Sequence, residues 1–205
     1  MINDVDDTLK ELLAQKTPLD PSAVDIRFER PDKEWSAGVS KPTINLFLYD
    51  VRENHELRSN QRSLARNGAA GTETRAPVRV DLAYLISAWT SDVSDEHQLL
   101  GRVLTTLLQF PVLPPDVLKG SMQTQPLPLQ AWIAQPERMP SPWEFWGHVD
   151  HGMKAGLCFV LTTSFEPNAP VDVQLVTSTV LKLDEINATQ GDPNSSSTQT
   201  SQQIF

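Results

Sequence analysis

The chain has 205 residues, a hydrophobic fraction of 39% and a formal charge of −9. That length supports one well-buried domain and is short for two. The negative charge repels phosphate backbones, which argues against sequence-independent nucleic-acid binding. A single cysteine excludes an intramolecular disulfide framework. It lies in the apolar run Leu157-Cys158-Phe159-Val160-Leu161, so a buried, inert thiol is favoured over a nucleophile. No apolar run approaches the ~20 residues of a membrane helix, and the acidic start is unlike a secretory signal. The expectation is a cytoplasmic protein, so the glycosylation patterns at Asn187 and Asn194 carry little weight.

The first predicted element is a helix. Ile2, Val5, Leu9, Leu12 and Leu13 fall on one face, and Asp4, Asp6 and Asp7 favour its positive N-terminal end. Thr17-Pro18 and Asp20-Pro21 end it. Val24, Ile26 and Phe28 then alternate with charged residues, giving a strand with one wet face. After Pro42, Ile44, Leu46 and Leu48 point one way while Phe47, Tyr49 and Val51 point the other. Both faces are apolar, which predicts a central strand covered on both sides. From Asn54 to Ala76 there is no apolar period, and the segment reads either as a long exposed loop or as one ordered only by a partner. Arg52, Arg58, Arg62 and Arg66 form a local basic patch there, read as a solvated linker.

Pro77–Leu118 predicts a long strand, a capped helix and a proline turn. Val78, Val80, Leu82, Tyr84 and Ile86 share one face, opposite Arg79, Asp81, Ala83, Leu85 and Trp89. Ser94 is the expected N-cap, followed by Asp95 and Glu96 in the first turn. Leu99, Leu100, Val103, Leu104, Leu107 and Leu108 form a wide apolar stripe. Burying them would contribute on the order of 10 kcal/mol before entropy is subtracted. Pro111 stops the helix. Leu127, Leu129, Ala131 and Ile133 alternate again, Ser141-Pro142 opens a short helix, and Leu157 to Ser164 is a strand apolar on both faces near its centre. The alternating run Val173–Leu183 reads as an arm that adds a strand to a neighbour or, equally, as an intramolecular edge strand. From Asn187 onward the composition is polar and predicts a tail disordered when free.

Residues with catalytic chemistry are sparse. His148 and His151 with Asp150 are spaced like metal ligands, but no third ligand follows at a recognisable interval, so no metal site is assigned. His97 stands in the first turn of a predicted helix and reads as a capping or interface group before a general base. No nucleophile elbow, P-loop or dinucleotide fingerprint occurs. Trp35, Trp89, Trp132, Trp143 and Trp146 read as core first and as interface residues second. No catalytic, cofactor-binding or metal residue is predicted, and no cofactor; the chain reads as a non-enzyme.

Taken in order, several segments carry a family resemblance. They are the opening Ile2-Asn3-Asp4-Val5-Asp6, the strand from Pro42 to Glu53, Val80–Leu85 with Ala88-Trp89, Glu96–Gly101, and Pro111-Val112-Leu113-Pro114. Over about residues 2 to 166 the chain resembles the cap, or tail-terminator, proteins of extracellular contractile injection systems, phage-tail-like particles of the antifeeding-prophage and virulence-cassette type. The resemblance implies an α/β (α+β) fold similar to phage tail terminators: one domain with a mixed, mostly antiparallel sheet flanked by helices. The resulting division is a terminator-like domain at 1–166, a C-terminal β arm at 167–186 and a polar tail at 187–205. It also implies a homo-oligomeric ring, expected to be a hexamer. The ring would sit on the distal end of inner tube and sheath, ending their polymerisation and stabilising the extended sheath. The alternative is a non-enzymatic, protein-binding adaptor without a particle. Neither reading involves nucleic acid or membrane insertion.

Overall fold

The longest strand, β5 (Val78–Trp89), lies at the centre of a five-stranded sheet, and its sequence explains why. Leu82, Tyr84 and Ile86 on one face and Leu85 and Trp89 on the other are all buried, so both faces must be covered. The computed structural model describes residues 1–20, 22–67, 70–135, 142–148 and 152–175, which divide into two units. The first comprises 1–59 and 77–167, the second 60–76 and the segment from 168 onward.

In the first unit β5 is flanked by β2 (Thr43–Glu53) and β7 (Leu157–Phe165), with β1 (Asp25–Arg27) and β6 (Gln130–Ile133) outermost. Only β1 runs parallel to its neighbour, so the sheet is mixed and mostly antiparallel, as expected. Helices α1 (Ile2–Lys16) and α3 (Val93–Gln109) cover one face. Val5, Leu9, Leu12 and Leu13 from α1 meet Leu99, Val103 and Leu107 from α3 over Ile44, Leu46, Leu82, Ile86 and Phe159. On the other face, Trp35 of the short α2 (Lys33–Ala37) and Phe145 and Trp146 of α4 (Pro142–His148) pack on Leu85, Trp89, Phe47 and Tyr49. Trp35 and Trp146 both set edge-on contacts to Trp89, with centroids 5.2 and 6.4 Å away. Trp89 and Trp146 are thus core residues. The side chain of Trp143 lies outside the described residues.

Three local expectations change. Asp92, not Ser94, caps α3: its carboxylate accepts the backbone N–H groups of Ser94 at 2.8 Å and Asp95 at 3.3 Å. Aspartate is as good a cap as serine, and Asp92 has the extended backbone a cap needs. In β2 a bulge between Leu48 and Asp50 shifts the register and sets Val51 opposite Leu82. Val51 therefore leaves the face of Phe47 and Tyr49 and is 48% exposed. The α3 stripe is also narrower than the pattern implied, because Leu108 is 57% exposed while Thr106 is buried in its place.

The α1 helix is tied to a 3-10 turn at Gly120–Thr124. Asp4 accepts from the backbone N–H and the hydroxyl of Ser121, and the buried Thr8 hydroxyl takes the backbone N–H of Lys119 at 3.0 Å. Gly120 has a φ of +50°, and a Cβ there would meet the Asp4 carboxyl carbon at 2.6 Å. Glycine is thus required twice at one position.

The second unit contradicts the loop expected over Asn54–Ala76. Residues Arg62–Asn67 form β3 and Ala70–Arg75 form β4, an antiparallel hairpin. A third strand, β8 (Val171–Gln174), pairs with β4. Of the run Val173–Leu183, the described beginning is accordingly an intramolecular edge strand, and residues 176–183 lie outside the described residues.

Candidate assembly surfaces

Among the described residues, none of those singled out for chemistry is assembled into a reacting group. His97 is exposed in the second turn of α3. His148 ends α4, where its backbone carbonyl accepts from the Arg30 guanidinium at 2.8 Å. Asp150 and His151 lie outside the described residues. Among the described residues no three His, Cys, Asp or Glu side chains converge as metal ligands. Cys158 is buried beside Ala83 and Val160, with its Sγ 3.4 Å from the Tyr49 hydroxyl. Burial pushes the Tyr49 phenol well above its ordinary range, with Cys158 adding to the shift, so the Tyr49 hydroxyl stays protonated.

A buried polar network occupies the far end of β5. Asp81 accepts from Asn54 Nδ2 at 3.0 and 3.1 Å and from the Thr162 hydroxyl at 2.6 Å. Two residues away on the same face, Arg79 donates to the Ser164 hydroxyl at 3.1 Å. Asn54, Arg79 and Asp81 are each less than 9% exposed. Desolvation lowers the Arg79 pKa, and the Asp81 charge opposes that shift. The Thr162 and Ser164 hydroxyls of this set are both engaged as hydrogen-bond partners. Its chemistry is cross-strand adhesion between β5 and β7 and the end of β2.

A cavity of about 300 Å³ opens between α1 and β1, lined by Leu13, Ala14, Leu19, Val24, Ile26, Lys10 and Asp25. Asp25 is already engaged by Lys41 at 2.7 Å and Arg27 at 3.2 Å, and Lys41 foremost holds its carboxyl below the ordinary range. Five of the seven lining residues are apolar, and the two charged ones, Lys10 and Asp25, form no catalytic pairing.

What remains is surface. The β3–β4–β8 sheet bears exposed Arg62, Leu64, Arg66, Arg75 and Val171. Sequence reasoning missed this sheet because neither face is buried enough to print an apolar alternation. The available signal was Asn67-Gly68, a favoured hairpin dipeptide. At the β6 edge of the five-stranded sheet Leu108, Val112 and Leu127 are exposed, each by 44% or more. Among the described residues no helix is long and apolar enough to cross a membrane.

The mostly antiparallel sheet between two helix layers is a fold found in the terminators of contractile injection systems. Among the solved structures that share it are two terminators. One is the PVC sheath/tube terminator of an extracellular contractile injection system in its extended state, with a TM-score of 0.69 and 20% identity over 93% of this chain and 65% of that one. The other is the tube-terminating cap of the anti-feeding prophage, with a TM-score of 0.62 and 22% identity over 89% of this chain and 61% of that one. The chain thus spans under two thirds of the length of the structures it matches. No curated protein sequence matches it. The sequence profile described as the Pvc16 N-terminal domain matches residues 4–179, and the chain belongs to that family.

Proposed function

We propose that the chain is a structural cap, or tail terminator, of a contractile injection system. One observation carries this reading: 93% of the chain shares its fold with a sheath/tube terminator, in a chain that belongs to the Pvc16 N-terminal domain family. The cap is a ring of identical subunits, a hexamer, closed by repeated head-to-tail contacts. It seats on the last layer of inner tube and sheath, ends their polymerisation and holds the sheath extended. Residues 1–166 form the cap domain and 167–186 an arm, followed by the polar tail 187–205. The cap acts as a solid part, with no catalytic residue, cofactor or metal, and without nucleic acid or membrane insertion. It joins the particle in the cytoplasm.

The test is removal of the gene followed by measurement of particle length and sheath state by electron microscopy. Tubes of uncontrolled length, or sheaths that contract or fall away, are expected. Particles of normal length and stability overturn the reading.

A further inference from the structure

The three-stranded sheet has two chemically different faces. One is polar, with the Thr72 hydroxyl 3.0 Å from Asp172 Oδ1. On the other, the register sets Leu64 opposite Glu73 and Glu73 opposite Val171, while Arg66, Gly71 and Val173 form the adjoining row. A Cβ on Gly71 would lie 2.9 Å from Leu64 Cδ1 and 3.3 Å from Leu175 Cδ1. The two leucines therefore close over the glycine and make an apolar strip across the sheet. Leu64 is 42% and Val171 60% exposed. Arg62, Arg66 and Arg75 surround the strip. Arg62 pairs with Glu73 at 2.7 Å, whereas Arg66 and Arg75 make no ion pair among the described residues. An apolar centre inside an arginine rim is the composition of a protein docking surface.

We infer that this face docks on the acidic surface of a second copy of the same chain. Charge complementarity carries the choice. The β3–β4 hairpin holds three arginines against one glutamate, in a chain of formal charge −9. With +2 in the hairpin strands and −9 overall, the rest of the chain carries −11, so every added copy is opposite in sign to this face. A nucleic acid would meet the arginines but leave Leu64 and Val171 in water, whereas a protein surface buries them as well. Contact between a basic face and a different, acidic face is heterologous, the kind that closes into a ring. The inference rests on the ring proposed above and assigns it one of its two joining faces.

The test uses the full-length chain in sedimentation and light scattering at ~0.05 and ~0.5 M salt, where screening lengths differ several-fold. Two variants are compared, Arg66→Glu with Arg75→Glu, and separately Leu64→Ser, with folding checked by circular dichroism. Wild type is expected to self-associate, less so at high salt, and each variant to raise the Kd by about tenfold or more. The charge-reversed variant keeps its own acidic surface, so it should add to wild-type oligomers and block further growth. A photo-reactive side chain at position 64 should cross-link to acidic peptides of an isotope-labelled second copy. Association unchanged in both variants, or cross-links only within one chain, overturns the docking face and leaves the ring reading standing. Wild type that stays monomeric in solution and on purified tubes overturns both.

Discussion

Asp81 of β5 ties Thr162 of β7 and Asn54, just past the end of β2, at one carboxylate. Replacing it with alanine leaves the buried Asn54 amide and Thr162 hydroxyl without their acceptor and Arg79 without its neighbouring charge. Asp81→Ala is expected to cost about 3–5 kcal/mol, read as a lower urea midpoint at unchanged m value. Two other carboxylates, both on α1, shift in opposite directions. Burial pushes Asp6 above its ordinary value of 3.8, against the hydrogen bond that the Tyr84 hydroxyl donates to it at 2.8 Å. Hydrogen bonds from Ser121 hold Asp4 below 3.8. A raised carboxyl contributes stability below its unfolded pKa and loses it as pH rises through the folded value. A lowered one contributes above the unfolded pKa and loses it as pH falls through the folded value. Tyr84→Phe removes the bond that favours charged Asp6 and should raise its pKa further. The cost of that substitution should therefore be small in acid and grow as pH rises through the folded Asp6 pKa, measured by urea unfolding across the range. The sequence placed Asp6 near a helix N-terminus but gave no sign of Tyr84, because the contact joins residues 78 positions apart.

At the scale of elements, the α1 joint and the α3 stripe make contrasting predictions. Gly120→Ala needs a left-handed backbone at a residue with a Cβ and drives that Cβ into Asp4. It should cost about 1–3 kcal/mol and lower the melting temperature, with the Ser121 bonds to Asp4 lost together. Within α3, Leu107 is 1% and Leu108 57% exposed. Leu107→Ala is expected to cost about 2–5 kcal/mol by leaving a cavity, and Leu108→Ala to fall within about 0.5 kcal/mol of wild type. Equal losses at the two positions would show that the stripe is covered on both flanks. Element type was legible wherever apolar residues repeat strongly, as in α1, β2, β5, α3 and β7. It failed in β3 and β4, where Arg62, Ser63, Leu64, Ala65 and Arg66 are all exposed and burial imposes no alternation.

At the scale of the molecule, the two units differ in how they are held. The first is closed by cores on both sides of its sheet, the second by a backbone ladder with little buried side chain. The hairpin leaves the first unit between β2 and β5, where Glu53 faces Val80 and the Asn54 N–H bonds the Arg79 carbonyl at 2.8 Å. Replacing residues 60–76 with a short glycine-rich turn should leave the first unit folded. Its near-ultraviolet circular dichroism should be retained and its thermal transition remain cooperative within a few degrees of wild type. Loss of that transition would show that the first unit needs the hairpin for its own stability. By itself, the sequence determined helices α1, α3 and α4, the central strands, the scarcity of catalytic groups and the terminator resemblance. The elements follow from local periodicity, the scarcity of catalytic groups from residues read one at a time, and the resemblance from several motifs taken in order. Only the tertiary structure decided that Asp92 caps α3, that a bulge turns Val51 away, that Arg79 and Asp81 are buried together, and that the polar stretch after Asn54 is a hairpin with one arginine-rimmed apolar face. The α3 cap turns on the local backbone at Asp92, and the others on cross-strand register or contacts between distant residues, where backbone pairing and burial are settled and local pattern is silent.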